Sequence, residues 1–183
     1  MMIMWLSEMS KKRKTVKLII DFIIIALLVW LDHFTKNLAV EKLKDQSAFI
    51  LVKNVFELNY LENRGAAFGV FQNQRVMFLV TGIIVLAIVI YVLVRLPQGK
   101  KYNWLEVCMV LIASGAIGNM IDRMSQGYVV DFFYFVLIDF PIFNVADVYV
   151  TVSCILMAVL VLFIFKDEEL SFLSPRKNKE NKE

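Results

Sequence analysis

Val76-Met-Phe-Leu-Val-Thr-Gly-Ile-Ile-Val-Leu-Ala-Ile-Val-Ile-Tyr-Val-Leu-Val94 contains no charged residue and is bracketed by Arg75 and Arg95. As a helix it is roughly 28 Å long, close to the hydrocarbon thickness of a bilayer. Three other apolar runs flank it, at about residues 18–31, 104–121 and 145–165. Hydrophobic residues make up 59% of the 183-residue chain and mean hydropathy is +0.65, above the soluble norm of about 45–50%. The expected fold is an all-α integral membrane protein. It has four transmembrane helices, a small extracytoplasmic β-sheet and an interfacial segment.

The expected organisation follows from the charges between the runs. Residues 1–17 form a basic N-terminus. Residues 18–165 form a single membrane domain, with spans at about 18–36, 76–95, 104–122 and 145–165 and outer segments at 37–75 and 123–144. Residues 166–183 form a flexible charged tail. The first run ends in Leu31-Asp-His-Phe-Thr-Lys36, not in small residues, so it reads as a retained helix and not as a cleaved signal peptide. Placing both termini in the cytoplasm puts 13 of the 20 Lys and Arg on the inner side. A net charge of +3, with its basic residues beside apolar runs, gives no argument for nucleic acid as a partner. Cys108 and Cys154 lie inside apolar runs and read as buried thiols without a disulfide.

Two of the runs are too short. Residues 18–31 make roughly 21 Å of helix, as do residues 107–121 between Glu106 and Asp122. Both helices must therefore continue through Asp32 and Asp122. With alternating helix direction, Asp32, Asp122 and Asp147 reach the same leaflet, where buried charge is costly and is paired or functional. Asp32 and Lys36 are four residues apart and fit one helix face. Asn119 with Asp122, and Asn144 with Asp147, are three apart and point together. Asp21, near Lys17, reads as an interfacial charge. In the outer segments, residues 55–60 alternate as a half-exposed strand does. Tyr128-Val-Val-Asp-Phe-Phe-Tyr-Phe135 and its continuation to Phe143 read as an interfacial stretch. Asp131 and Asp139 both stand among apolar neighbours there, and the pattern does not choose between them.

Five segments in order carry a resemblance: Asp32-His-Phe-Thr-Lys36, Asn63-Arg-Gly-Ala-Ala-Phe68, Gly118-Asn-Met-Ile-Asp-Arg123, Val129-Val-Asp-Phe132 and Phe143-Asn-Val-Ala-Asp147. Together they resemble the lipoprotein signal peptidase (signal peptidase II) family, with His33 where that family commonly has Gln. The resemblance implies a membrane aspartic endopeptidase that cuts diacylglyceryl-modified prolipoproteins before the lipidated cysteine. It implies Asp131 and Asp147 as the catalytic pair. It matches Asn63, Asn119, Arg123 and Asn144 to substrate contacts, and Asp32, Lys36, Gly65 and Asp122 to shaping the site. No cofactor or metal is expected, since no His/Cys/carboxylate cluster has zinc spacing. The expected partners are prolipoprotein substrates and membrane lipid, with the enzyme a monomer in the bacterial inner membrane and its site at the outer leaflet. Three rival readings make different demands on the sequence. A small polytopic transporter would need charges running from side to side. A non-catalytic assembly factor would merely pair its carboxylates with Lys36 and Arg123. A Ser/Lys peptidase would need a lysine near Ser125.

Overall fold

The computed structural model describes residues 2–65 and 74–174, with side chains described from residue 12 onward. Four long helices and a three-stranded sheet follow one another as α1 (Met2–Leu43), β1 (Phe49–Val52), β2 (Phe56–Asn63), α2 (Arg75–Arg95), α3 (Asn103–Ser125), β3 (Val129–Tyr134) and α4 (Val145–Val159). Three helical stretches are long and apolar enough to cross a membrane: residues 75–95, 100–125 and 145–164. The expected first span lies inside the 42-residue α1.

The helix ends have local causes. Pro97 disfavours a helical residue before it, and α2 ends at Arg95 with Leu96 already extended. Asn144 begins α4 through a capping box: its side chain accepts from the Asp147 amide, while Asp147 accepts from the Asn144 amide. Residues 160–164 continue α4 as a π-helical turn.

α3 is the central helix, packed against α1, α2 and α4. It buries Leu105, Cys108, Met109, Val110, Ala113 and Gly115. α2 and α4 instead present Ile83, Ile84, Ile90, Ile155 and Leu162 outward. Helices so apolar on their outer surfaces suit a lipid solvent and not water. Close approach of α3 and α4 depends on Gly115, where an added Cβ would stand 2.5 Å from the Ala146 carbonyl oxygen.

The sheet is antiparallel in the order β1-β2-β3. It caps one end of the bundle, where Val130, Phe132, Ala39 and Leu43 form a small core. That core explains why α1 runs past the expected end at residue 36: its last two turns bury Ala39 and Leu43 beneath the sheet. The second outer segment supplies the third strand of this sheet. Residues 129–134 are a strand whose amides pair with β2, and only residues 136–138 form a short helical turn.

The opposite end of the bundle shows two more departures. Residues 167–173 are not a loose tail. They form a 3₁₀ segment whose Glu169 pairs with Lys101 at 2.5 Å, with Leu170 and Phe172 packed on the inter-helix core. Residues 175–183 lie outside the described residues. Asp21 is buried between helices and stands close to Glu106, which pairs with Lys17. Cys108 is fully buried as expected, but Cys154 is exposed on the outer face of α4.

Candidate active site

The strand register starts the site. Asn63 lies opposite Val129, and Leu61 opposite Asp131. Because side chains alternate along a strand, Asn63 and Asp131 share a face as diagonal neighbours. The Asn63 amide donates to Asp131 Oδ2 at 2.8 Å, while its carbonyl accepts the Gly65 amide at 2.9 Å. The other Asp131 oxygen accepts from Asn144 Nδ2 at 2.6 Å. Asn144 therefore works in two directions. Its carbonyl caps α4 through the Asp147 amide, and its NH2 holds the carboxylate of β3.

Asp147 is in the first turn of α4. Its Oδ1 accepts from Asn119 Nδ2 at 2.8 Å and its Oδ2 from the Asn144 amide at 3.1 Å. Asp131 and Asp147 thus hang on a shared frame of three asparagines, one each from β2, α3 and the start of α4. Neither has an ion-pair partner among the described residues. Both line a cavity of about 620 Å³ whose remaining wall is mostly apolar, including Phe78, Phe135, Phe140, Phe143 and Val152. Asp131 is 1% exposed. Burial first, and the Asp147 charge second, raise its pKa from 3.8 to about 7, against the lowering pull of the Asn63 and Asn144 amides and of Lys36.

Arg123 borders the same cavity from α3. Its guanidinium donates to the Gly65 carbonyl at 3.2 Å and lies 4.3 Å from the Phe78 ring centre. Gly65 is thereby fixed at both its amide and its carbonyl. The remainder of its motif, Ala66-Ala-Phe68, lies outside the described residues.

A second carboxylate cluster supports the first. Lys36 Nζ stands 2.7 Å from Asp32 Oδ2 and 2.8 Å from Asp122 Oδ2, and donates to Asn119 Oδ1 at 2.9 Å. Asp32 is fully buried, and its Oδ1 accepts the Ala146 amide of the first turn of α4 at 2.9 Å. A carboxylate there also meets the positive end of the helix dipole. The approach requires Gly118, because a Cβ at that position would stand 2.6 Å from Asp32 Oδ2.

The ten residues singled out in the sequence fall into these two linked clusters. Asp139 separates from them. It is exposed, takes a left-handed φ of 48° and accepts from the Tyr134 hydroxyl at 2.6 Å. The sequence reading missed Ala146, whose contribution is a backbone amide and leaves no mark in residue type. Among the described residues no group of three or more His, Cys, Asp or Glu stands close enough to hold a metal ion.

Fold and site together define a helical membrane protein carrying two closely held carboxylates in an apolar-walled cavity at one end of its bundle. The family model described as signal peptidase (SPase) II matches residues 24–163. A lipoprotein signal peptidase of Caldanaerobacter subterraneus subsp. tengcongensis is 43% identical over 142 residues, covering 77% of this chain and 94% of that protein. One of Streptococcus thermophilus is 42% identical over 144 residues, covering 79% and 91%. A bacterial membrane enzyme solved by the in meso method at 1.9 Å superimposes with a TM-score of 0.68 at 29% identity, covering 79% of this chain and 94% of that one. The chain belongs to the signal peptidase II family, and it is a membrane peptidase.

Proposed function

We propose that this peptidase is an aspartic endopeptidase that removes the signal peptide from diacylglyceryl-modified prolipoproteins, cutting before the lipidated cysteine. The observation that carries the reading is the Asp131–Asp147 pair, held by amides instead of cations inside a largely apolar cavity. Two such carboxylates share one proton, because both cannot ionise readily at close quarters. The raised pKa of Asp131 makes it the holder of that proton. Asp147 then takes a proton from water as the water oxygen attacks the scissile carbonyl, and Asp131 gives its proton to the carbonyl oxygen. As the intermediate collapses, the C–N bond breaks. The leaving amine takes the proton from Asp147, and Asp131 recovers one from the hydroxyl.

In this reading Asn63, Asn119, Arg123 and Asn144 present hydrogen-bonding groups to the substrate backbone, and the Phe and Val wall takes its lipid. Asp32, Lys36, Gly65 and Asp122 hold the geometry. Residues 18–36 of α1 form the first of four spans. Their outward Ile19, Phe22, Ile23, Leu27 and Trp30 suit contact with acyl chains. Both termini are cytoplasmic by the bias of basic residues, so the sheet and the dyad lie at the outer leaflet of the bacterial inner membrane. The site is built within one chain, which suits a monomer, and the chemistry draws on no cofactor.

The test is side-by-side incubation of the purified protein with a diacylglyceryl-modified precursor and its unmodified form. Cleavage of the modified precursor alone, unaffected by chelator, is expected. Equal cleavage of both, or loss of activity with chelator, would count against the reading.

A further inference from the structure

His33 is the only histidine in the chain and takes no part in the chemistry above. It follows Asp32 on α1. Its Nδ1 stands 3.4 Å from Asp122 Oδ1 on α3, while its Nε2 is buried without a partner among the described residues. The charged groups around it are Asp122 across the helix interface and Asp32 and Lys36 on its own helix. With a neutral imidazole, this cluster holds two carboxylates against one ammonium, an excess of one negative charge. That excess lies a single amide from the dyad: Lys36 donates to Asn119 Oδ1, and Asn119 Nδ2 donates to Asp147 Oδ1. The dyad itself works with one negative charge, so the two sites repel.

We propose that His33 is a positioning residue for the dyad. In its protonated form it balances the Asp32–Lys36–Asp122 cluster through Asp122, and so keeps the dyad singly ionised to lower pH. The proposal rests on the dyad reading. Its physical content is one added cation near a carboxylate pair, which favours the ionised form. Histidine is the side chain that gains its charge on the acid side of neutrality. A dyad that takes up a second proton has no carboxylate left to accept one from water, so a cation held nearby extends its working range toward acid.

The test is the pH profile of cleavage of a diacylglyceryl-modified precursor by the parent, His33→Gln and His33→Lys. In H33Q the acid limb is expected to move upward by about half a pH unit, the size of a screened single charge at this range. The alkaline limb and the plateau rate stay in place. H33K, with a permanent cation, is expected to bring the acid limb back toward the parent. If H33K does not fold, H33Q decides alone. An H33Q acid limb that coincides with the parent overturns the proposal, as does an equal fall at every pH in both variants. No cleavage by the parent at any pH would instead sink the dyad reading, and this proposal with it.

Discussion

Asp32 and Asp122 share a lysine, whereas Asp131 and Asp147 share asparagines. Both pairs sit at the sheet end of the bundle, and Asn119 belongs to both, since its carbonyl accepts from Lys36 and its NH2 donates to Asp147. The first pair shares one cation within 3 Å and is sealed, with Asp32, Lys36 and Asp122 all buried. The second has only neutral donors, and it borders an open cavity. A paired buried charge ties elements together; a pair held only by amides keeps a proton available for transfer. One pair joins α1, α3 and the start of α4, and the other uses the place so fixed.

The sharpest way to break this contrast is to neutralise the dyad. Asp131→Asn and Asp147→Asn are each expected to lower cleavage of a lipidated precursor about a thousand-fold or more, with the folded protein recovered from detergent in normal amounts. Near-full activity in either variant would remove that residue from the chemistry. For Asp147 the amide keeps one acceptor for the Asn144 backbone amide, while its NH2 then faces Asn119 Nδ2, so a melting curve of D147N beside the activity separates lost chemistry from lost structure.

The converse substitution is Lys36→Met. It leaves two buried carboxylates without their cation, a loss on the order of 3–5 kcal/mol. The expected result is a much lower melting temperature in detergent, or failure to recover folded protein, with activity falling as a consequence. If K36M melted like the parent but had lost activity, Lys36 would belong with the dyad, and the division of labour drawn above would be wrong.

The two clusters were not equally legible in the sequence. Asp32, Asp122 and Asp147 come to one depth because short apolar runs force their helices onward through charged residues, a constraint visible from length alone. Choosing Asp131 over Asp139 was beyond that reasoning, since both stand among apolar neighbours. The structure separates them by strand register, which places Asp131 inward beside Asn63 and leaves Asp139 on an exposed turn. Residues 129–134 carry no strand signature of their own, because unbroken apolar residues look alike on a membrane surface and in a strand buried on both faces. The Ala146 amide bound by Asp32 was invisible for a plainer reason: backbone donors have no sequence signature.

A finer test concerns the cost of burying Asp131. Its folded-state pKa of about 7 lies above the ordinary 3.8. The folded protein therefore binds this proton more tightly than the unfolded chain. Stability is undisturbed below 3.8, falls as pH rises from there through about 7, and levels off above. Taken alone the shift is worth up to about 4 kcal/mol. Asp131→Asn removes the penalty but brings a cost of its own. The carboxylate accepts from Asn63 on one oxygen and Asn144 on the other, and an amide can accept on only one side. Neither asparagine is free to turn over, because their carbonyls already accept the Gly65 and Asp147 amides. The clash offsets about 1–3 kcal/mol, so D131N gains only about 1–3 kcal/mol over the parent at pH 8. At pH 4 the clash stands alone and D131N is the less stable of the two. Melting curves of both proteins across that range should therefore cross. Parallel curves would mean that Asp131 titrates as an ordinary surface carboxylate, and the contrast between a sealed ion pair and a proton-holding dyad would lose its basis.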